Sequence, residues 1–307
     1  MPAAIGLRFY KIFAKRLRGK YDEIATASDL SVTIPDYLSN FVDSHSEDDT
    51  VADAEKERSY YFVPAENYGI GSIRGHVHYG TFGFESKIKK YKSKAVAYKR
   101  ASSDTEEIAL YFDIWCVPKE DFAILALQSF GGRSCVHLVL HDMQIEFEKA
   151  NKDFRLHAHK LMGNDSPITL YGDAPVKKLK LTKHNAQSDS FGSYRPGKPP
   201  RPVDIEISYK AKRGGALGSL RDMGGVLNEN DKGIIVFEGG EFDEVVAEVM
   251  IGNRRRPVGL IGANSETGAI DVSESITYGA DGHPTLDSIK KQSNLIIQDF
   301  YKRLKSI

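Results

Sequence analysis

The sequence predicts an α+β protein: a β-rich N-terminal region with one main helix, a linker, and a smaller α+β region that ends in an amphipathic helix. Three observations carry this expectation. Fifteen Tyr and fifteen Phe, with 27 Gly, lean towards strand-rich structure. Short runs of period-two alternation recur through the N-terminal part, bounded by turn residues. Two longer stretches, Arg133–Asn151 and Leu286–Leu304, instead repeat apolar residues at helical spacing.

Taken in order, Ser59–Val63 is a short aromatic strand, and Ile70–Phe84 (IGSIRGHVHYGTFGF) alternates between glycines. Ala95–Tyr98, Ile108–Val117 and Phe122–Phe130 are strand-like. The last two are apolar enough to be buried, and Pro118-Lys119-Glu120-Asp121 between them predicts a hairpin. Gly131-Gly132 ends the second strand. The helix over Arg133–Asn151 places Val136, Leu140, Met143 and Phe147 on one face. Phe154–Leu161 and Val176–Lys183 return to period two. Ser188–Pro202 holds four prolines and two glycines, which a central strand or helix interior does not accept. It is expected as a linker (188–202) between a β-rich α+β domain, 1–187, and an α+β domain, 203–307. Beyond it, Val203, Ile205, Ile207 and Tyr209 alternate along a half-buried strand, and Lys232–Glu238 is another. Glu244–Ile251 and Arg256–Ile261 flank Gly252-Asn253 as a hairpin. The closing helix sets Leu286, Ile289, Ile296, Phe300 and Leu304 on one side.

The 307 residues carry 42 basic and 42 acidic side chains, so net charge gives no global attraction to nucleic acid or membrane. Charge is sorted into blocks instead. Residues 7–21 hold six cations and no acid. Residues 41–57 hold seven acids with few large apolar side chains and read as a loop or mobile segment. Residues 87–100 hold seven cations and no acid. The two cysteines, Cys116 and Cys135, make neither a disulfide framework nor a zinc-finger set, and Cys116 in an apolar run reads as a buried, inert thiol. The N-terminus lacks the apolar core of a secretory signal, and no run approaches about 18 consecutive apolar residues. A cytoplasmic setting without membrane contact is expected.

The basic segments are candidates for binding. Lys87, Lys89, Lys90, Lys92, Lys94, Lys99 and Arg100 are interleaved with Tyr91 and Tyr98, and Arg254, Arg255 and Arg256 follow the predicted turn at Gly252-Asn253. Cations grip phosphates and tyrosines stack on unpaired bases, which together point to nucleic acid. A solvated strand face balanced by the acidic blocks gives the same composition.

Histidines supply a second candidate, a divalent-metal site. Six of nine fall in short pairs. His76 and His78, like His157 and His159, are spaced to put both imidazoles on one face of a strand, a half-site for Zn, Fe or Mn. Four rings would converge if the two strands were neighbours. His137 and His141 are one helical turn apart but lack the Glu of HExxH, and a packed or half-exposed helical pair is the favoured reading. Glu85-Ser86-Lys87 supplies half of a nuclease carboxylate–lysine set without the upstream aspartate. Gly214–Ser219 is glycine-rich but has no Walker lysine, and is either a phosphate cradle or an ordinary loop.

GHVHYGTFGFESKI, with LYFDIWCVP and LALQSFGGRS after it, resembles uncharacterised bacterial proteins carried in prophages and defence islands, over residues 60–135. The resemblance implies an antiviral or mobile-element role and assigns no functional residue. Three functions follow as expectations: a nucleic-acid-interacting sensor or effector of bacterial antiviral defence; a metal-dependent hydrolase (nuclease or phosphodiesterase) built on the paired histidines; and a scaffold acting through a protein partner or as a homo-oligomer.

Overall fold

A computed structural model describes residues 4–17, 24–65, 71–116, 120–162, 170–186, 203–226, 228–229, 235–237, 240–251, 254–262 and 268–306. It is α+β and mostly antiparallel sheet, as the sequence predicts. In chain order the elements are β1 (Ile5–Arg16), α1 (Ile34–Asp43), β2 (Val51–Asp53), β3 (Arg58–Pro64), β4 (Ser72–Thr81), β5 (Ser86–Lys89), β6 (Val96–Arg100), β7 (Glu106–Cys116), β8 (Phe122–Phe130), α2 (Val136–Ala150), β9 (Phe154–Lys160), β10 (Lys178–Ala186), β11 (Val203–Lys210), α3 (Leu220–Val226), β12 (Asn228–Glu229), β13 (Ile235–Phe237), β14 (Gly240–Phe242), β15 (Glu244–Ile251), β16 (Arg254–Gly262), β17 (Ile270–Asp271) and α4 (Leu286–Leu304). The chain forms two compact units, an inner-chain unit of residues 11–128 and 133–158 and a terminal unit of residues 1–10, 129–132 and 159–307. The segment 188–202, expected as a linker, lies outside the described residues. The strands that flank it, β10 and β11, pair antiparallel, and both belong to the terminal unit.

In the inner-chain unit the strands lie in the order β1-β8-β7-β4-β3-β2. The expected hairpin forms, with β7 and β8 paired from Phe112–Leu127 to Cys116–Ala123. Strand alternation sends Tyr60, Phe62, Val77, Leu110 and Phe112 to one face, where all are buried. Helices α1 and α2 cover that face: Phe62 meets Phe41 at 5.9 Å and Phe112 at 4.9 Å, and the Tyr60 hydroxyl donates to Asp142 on α2. α1 lies partly in a stretch expected to be a loop. Its start is fixed by Thr33, whose hydroxyl accepts from the Asp36 N–H, and by a proline in its first turn. It buries Ile34, Tyr37, Leu38, Phe41 and Val42. The acidic segment after it is tied down as well. His45 is buried, stacked on Tyr60, and its carbonyl accepts from the Phe62 N–H, while β2 pairs with β3.

α2 forms where expected but is rolled slightly: it buries Leu138 and Val139 with Val136, Met143 and Phe147, and leaves Leu140 half-buried. β1 is the larger surprise, because the described cations of the N-terminal basic block, Arg8, Lys11, Lys15 and Arg16, lie in a core strand. Ile5, Leu7, Phe9, Ile12, Phe13 and Ala14 are buried. Arg8 is buried with them, while Lys11 lies 4.7 Å from the Phe122 ring and Arg16 4.9 Å from the Phe154 ring, which packs their aliphatic stems.

The terminal unit orders its strands β11-β10-β15-β16-β17-β1, with a separate small sheet β12-β13-β14. β15 and β16 form the expected hairpin, although its turn, Gly252-Asn253, is outside the described residues. α4 has the expected bounds and packs Phe300 at 5.2 Å from Phe9 and 5.5 Å from Tyr171. β11 pairs with β10 alone among the described residues, so Ile207 is exposed instead of half-buried. No helix among the described residues is long and apolar enough to cross a membrane.

Candidate nucleic-acid interface

The cation-rich segment folds into a ribbon of its own. β5 and β6 pair antiparallel with each other and with no other described strand. Cross-strand partners share a face. Lys87 stands opposite Lys99, and Lys89, two residues along β5 and so on the same face, stands opposite Val96 beyond a register shift. Ile88 stands opposite Tyr98 on the other. Like charges directly opposite are destabilising, and a lone two-stranded ribbon is marginal in water. An anion bridging Lys87 and Lys99 relieves the first cost and orders the second.

Apolar exposure concentrates here too. Of the large apolar side chains found exposed among the described residues, Ile88, Tyr91, Val96 and Tyr98 fall within this one segment, and Phe84 lies just before it. Lysines alone would suit an edge kept free of unwanted pairing. Lysines interleaved with exposed rings and aliphatic groups do not, because those groups invite the contact that the charges would repel.

One of the nine candidate residues anchors the ribbon and does not present it. Arg100 is 4% exposed. Its guanidinium donates to the Thr81 and Asp104 carbonyls, pairs with Glu106 at 3.3 Å and lies 4.2 Å from the Phe84 ring. The Tyr98 hydroxyl donates to Asp104, so that tyrosine is also partly committed to the ribbon's base. Gly83 makes the turn out of β4 at φ +94°, where a side chain would be strained and would collide with the Glu57 carboxylate. Lys87, Lys89, Lys90, Lys92, Lys94 and Lys99 remain exposed.

The second basic cluster divides. Arg254 and Arg255 are exposed, and Arg255 lies 3.7 Å from Glu248. Arg256 is 2% exposed, contrary to the expectation of three surface arginines. It pairs with Val249 on the buried face of the β15–β16 hairpin and donates to Gln292 on α4 at 2.7 Å. Burial, then the neighbouring Arg254 charge, pulls its pKa down. This cluster belongs to the terminal unit and the ribbon to the inner-chain unit.

The histidine pairs have the predicted strand geometry. Val77 is buried, and His76 and His78 lie half-buried on the opposite face. His78 stacks on Tyr61 at 4.8 Å, with its Nδ1 3.2 Å from the Tyr61 hydroxyl and 3.9 Å from Glu107. His157 stacks on Phe13. β9 pairs with β1, and β8 and β7 then intervene before β4, so His157 lies about 19 Å from the His76/His78 pair at ordinary strand spacing. His159 belongs to the terminal unit. The neighbouring strands that a four-imidazole site requires are therefore not present. No group of three His, Cys, Asp or Glu among the described residues could hold a metal. His137 and His141 are exposed on α2.

The glycine-rich loop has already spent three of its amides: Gly215 donates to Lys212, Leu217 to Val176 and Ser219 to the Asp222 carboxylate. Cys116 is buried, which pushes its thiol up to about 11 and leaves it inert as expected.

The sheet face that carries His76 and His78 also holds a buried polar cluster that sequence reading missed. Asp113 is fully buried, accepts from the Tyr111 hydroxyl at 2.9 Å, and stands cross-strand from Arg74, whose Nε is 3.7 Å away. A charge this deep has to be paired, and the pairing fixes the register of β4 on β7. The signal was an aspartate in the middle of an apolar strand.

No protein-family model matches the chain, and no curated protein matches it at a significant level.

Proposed function

We propose that this protein binds nucleic acid through the β5–β6 ribbon. The lysine face of Lys87, Lys89 and Lys99 meets phosphates, while Arg100 holds the ribbon in place from behind. One observation carries the reading: the segment with seven cations and no acid is also where exposed apolar and aromatic side chains concentrate, on a ribbon with no structural partner strand among the described residues. Polyanions with flat apolar bases satisfy both features, and plain solvent does not. The likeness of residues 60–135 to bacterial prophage and defence-island proteins extends the proposal to a sensor or effector of antiviral defence. Arg254 and Arg255 are secondary candidates.

Filter binding to single-stranded and duplex DNA and RNA across a salt series tests it. If the six exposed lysines of the ribbon each neutralise one phosphate, log Kobs falls against log salt with a slope of about −4 on a single strand. Binding indifferent to salt, or none at low salt, removes the proposal.

A further inference from the structure

Tyr91, at the ribbon tip, is 95% exposed, and its ring meets no other ring among the described residues. Two backbone hydrogen bonds close the turn beneath it. The Lys90 N–H donates to the Ala95 carbonyl at 2.9 Å and the Lys94 N–H to the Lys90 carbonyl at 2.8 Å, with Lys94 in the left-handed region at φ 55°. The tip thus offers an aromatic plate to solvent on a hydrogen-bonded turn, with Lys89, Lys90, Lys92 and Lys94 within three residues of it, all exposed. Four ammonium groups make this a poor seat for an apolar protein surface. They suit a flat ring flanked by phosphates.

We propose that Tyr91 is the stacking platform for one unpaired base, so that the ribbon's ligand class is single-stranded nucleic acid. This rests on the phosphate-gripping reading above. Bases inside a duplex are stacked on both faces and offer no free face to a ring, whereas a single strand offers one at every nucleotide. A ribbon could instead enter the major groove, where Arg, Lys, Asn and Gln read base edges; of these Ser86–Lys99 carries only Lys, which reaches guanine but leaves adenine unread and gives the exposed Tyr91 ring nothing to stack on. Tyr98 does not duplicate the role, because its hydroxyl is held by Asp104 and it stands cross-strand from Ile88.

The test measures fluorescence anisotropy of three probes with the full chain: a thymidine 20-mer, an abasic 20-mer with the same phosphates, and a 20-base-pair duplex. The thymidine strand is expected to bind about 10-fold tighter than the abasic one, as one stacked base implies. Tyr91→Ala erases that difference and Tyr91→Phe keeps it. Equal affinity for thymidine and abasic strands in the intact chain overturns stacking while leaving phosphate binding intact. A duplex bound as tightly as the thymidine strand overturns the single-strand assignment. Failure to bind all three overturns the underlying reading as well.

Discussion

Neutralising one face of the ribbon, by Lys87→Gln, Lys89→Gln and Lys99→Gln together, is expected to lower affinity for a single-stranded oligonucleotide by roughly 100-fold at low salt, on the order of 1 kcal/mol for each phosphate left without its ammonium partner. The salt slope should shrink by about 2 at the same time, since each phosphate neutralised on a single strand contributes about 0.7. The fold should not suffer. All three lysines are exposed, and glutamine removes the Lys87–Lys99 repulsion while nearly keeping side-chain length. Unchanged tryptophan fluorescence and far-ultraviolet dichroism would confirm that. Intact binding in this variant, at an unchanged slope, would place the interface elsewhere.

The largest expected effect on stability is at Phe62. Its ring sits at the junction of β3 with α1 and β7, edge-on to Phe41 and Phe112, and is 2% exposed. Phe62→Ala removes the ring from between two elements whose backbones are fixed by sheet and helix, so the cavity cannot close. The cost should be about 3–5 kcal/mol, a large share of the roughly 5–15 kcal/mol that holds a typical domain together. The chain's single tryptophan, Trp115, lies on β7 in the same unit, and its emission during urea unfolding reads the destabilisation directly. A shift below about 1 kcal/mol, the cost of an ordinary point substitution, would mean that the helical layer is not packed as described.

These two variants separate what the sequence makes visible from what it hides. β4, α2 and α4 were legible because each buries one face and so prints its period on the chain, and the β7–β8 hairpin because two long apolar runs flank a turn signal. β1 was not legible: nearly every position is buried, but cations interrupt its apolar run and read as surface, although Arg8 is buried and Lys11 and Arg16 lie along aromatic rings. α1 was overlooked beside an acidic block, yet Thr33-Ile-Pro-Asp36 is a helix start by its capping pattern, so that signal was available. For the candidate site, the cation run was visible but its geometry was not. Register decides that Lys87 and Lys99 share a face and that Arg100 and Arg256 turn inward, and a count of charges weighs all of them alike. Convergence of the histidine strands depends on strand order, which composition and spacing do not encode.

Hydrogen–deuterium exchange of the intact chain with and without a thymidine 20-mer tests the location of the interface most directly. Slowed exchange confined to peptides spanning 86–100 is the predicted footprint. Protection elsewhere, with that segment exchanging as fast as in the free protein, would contradict it.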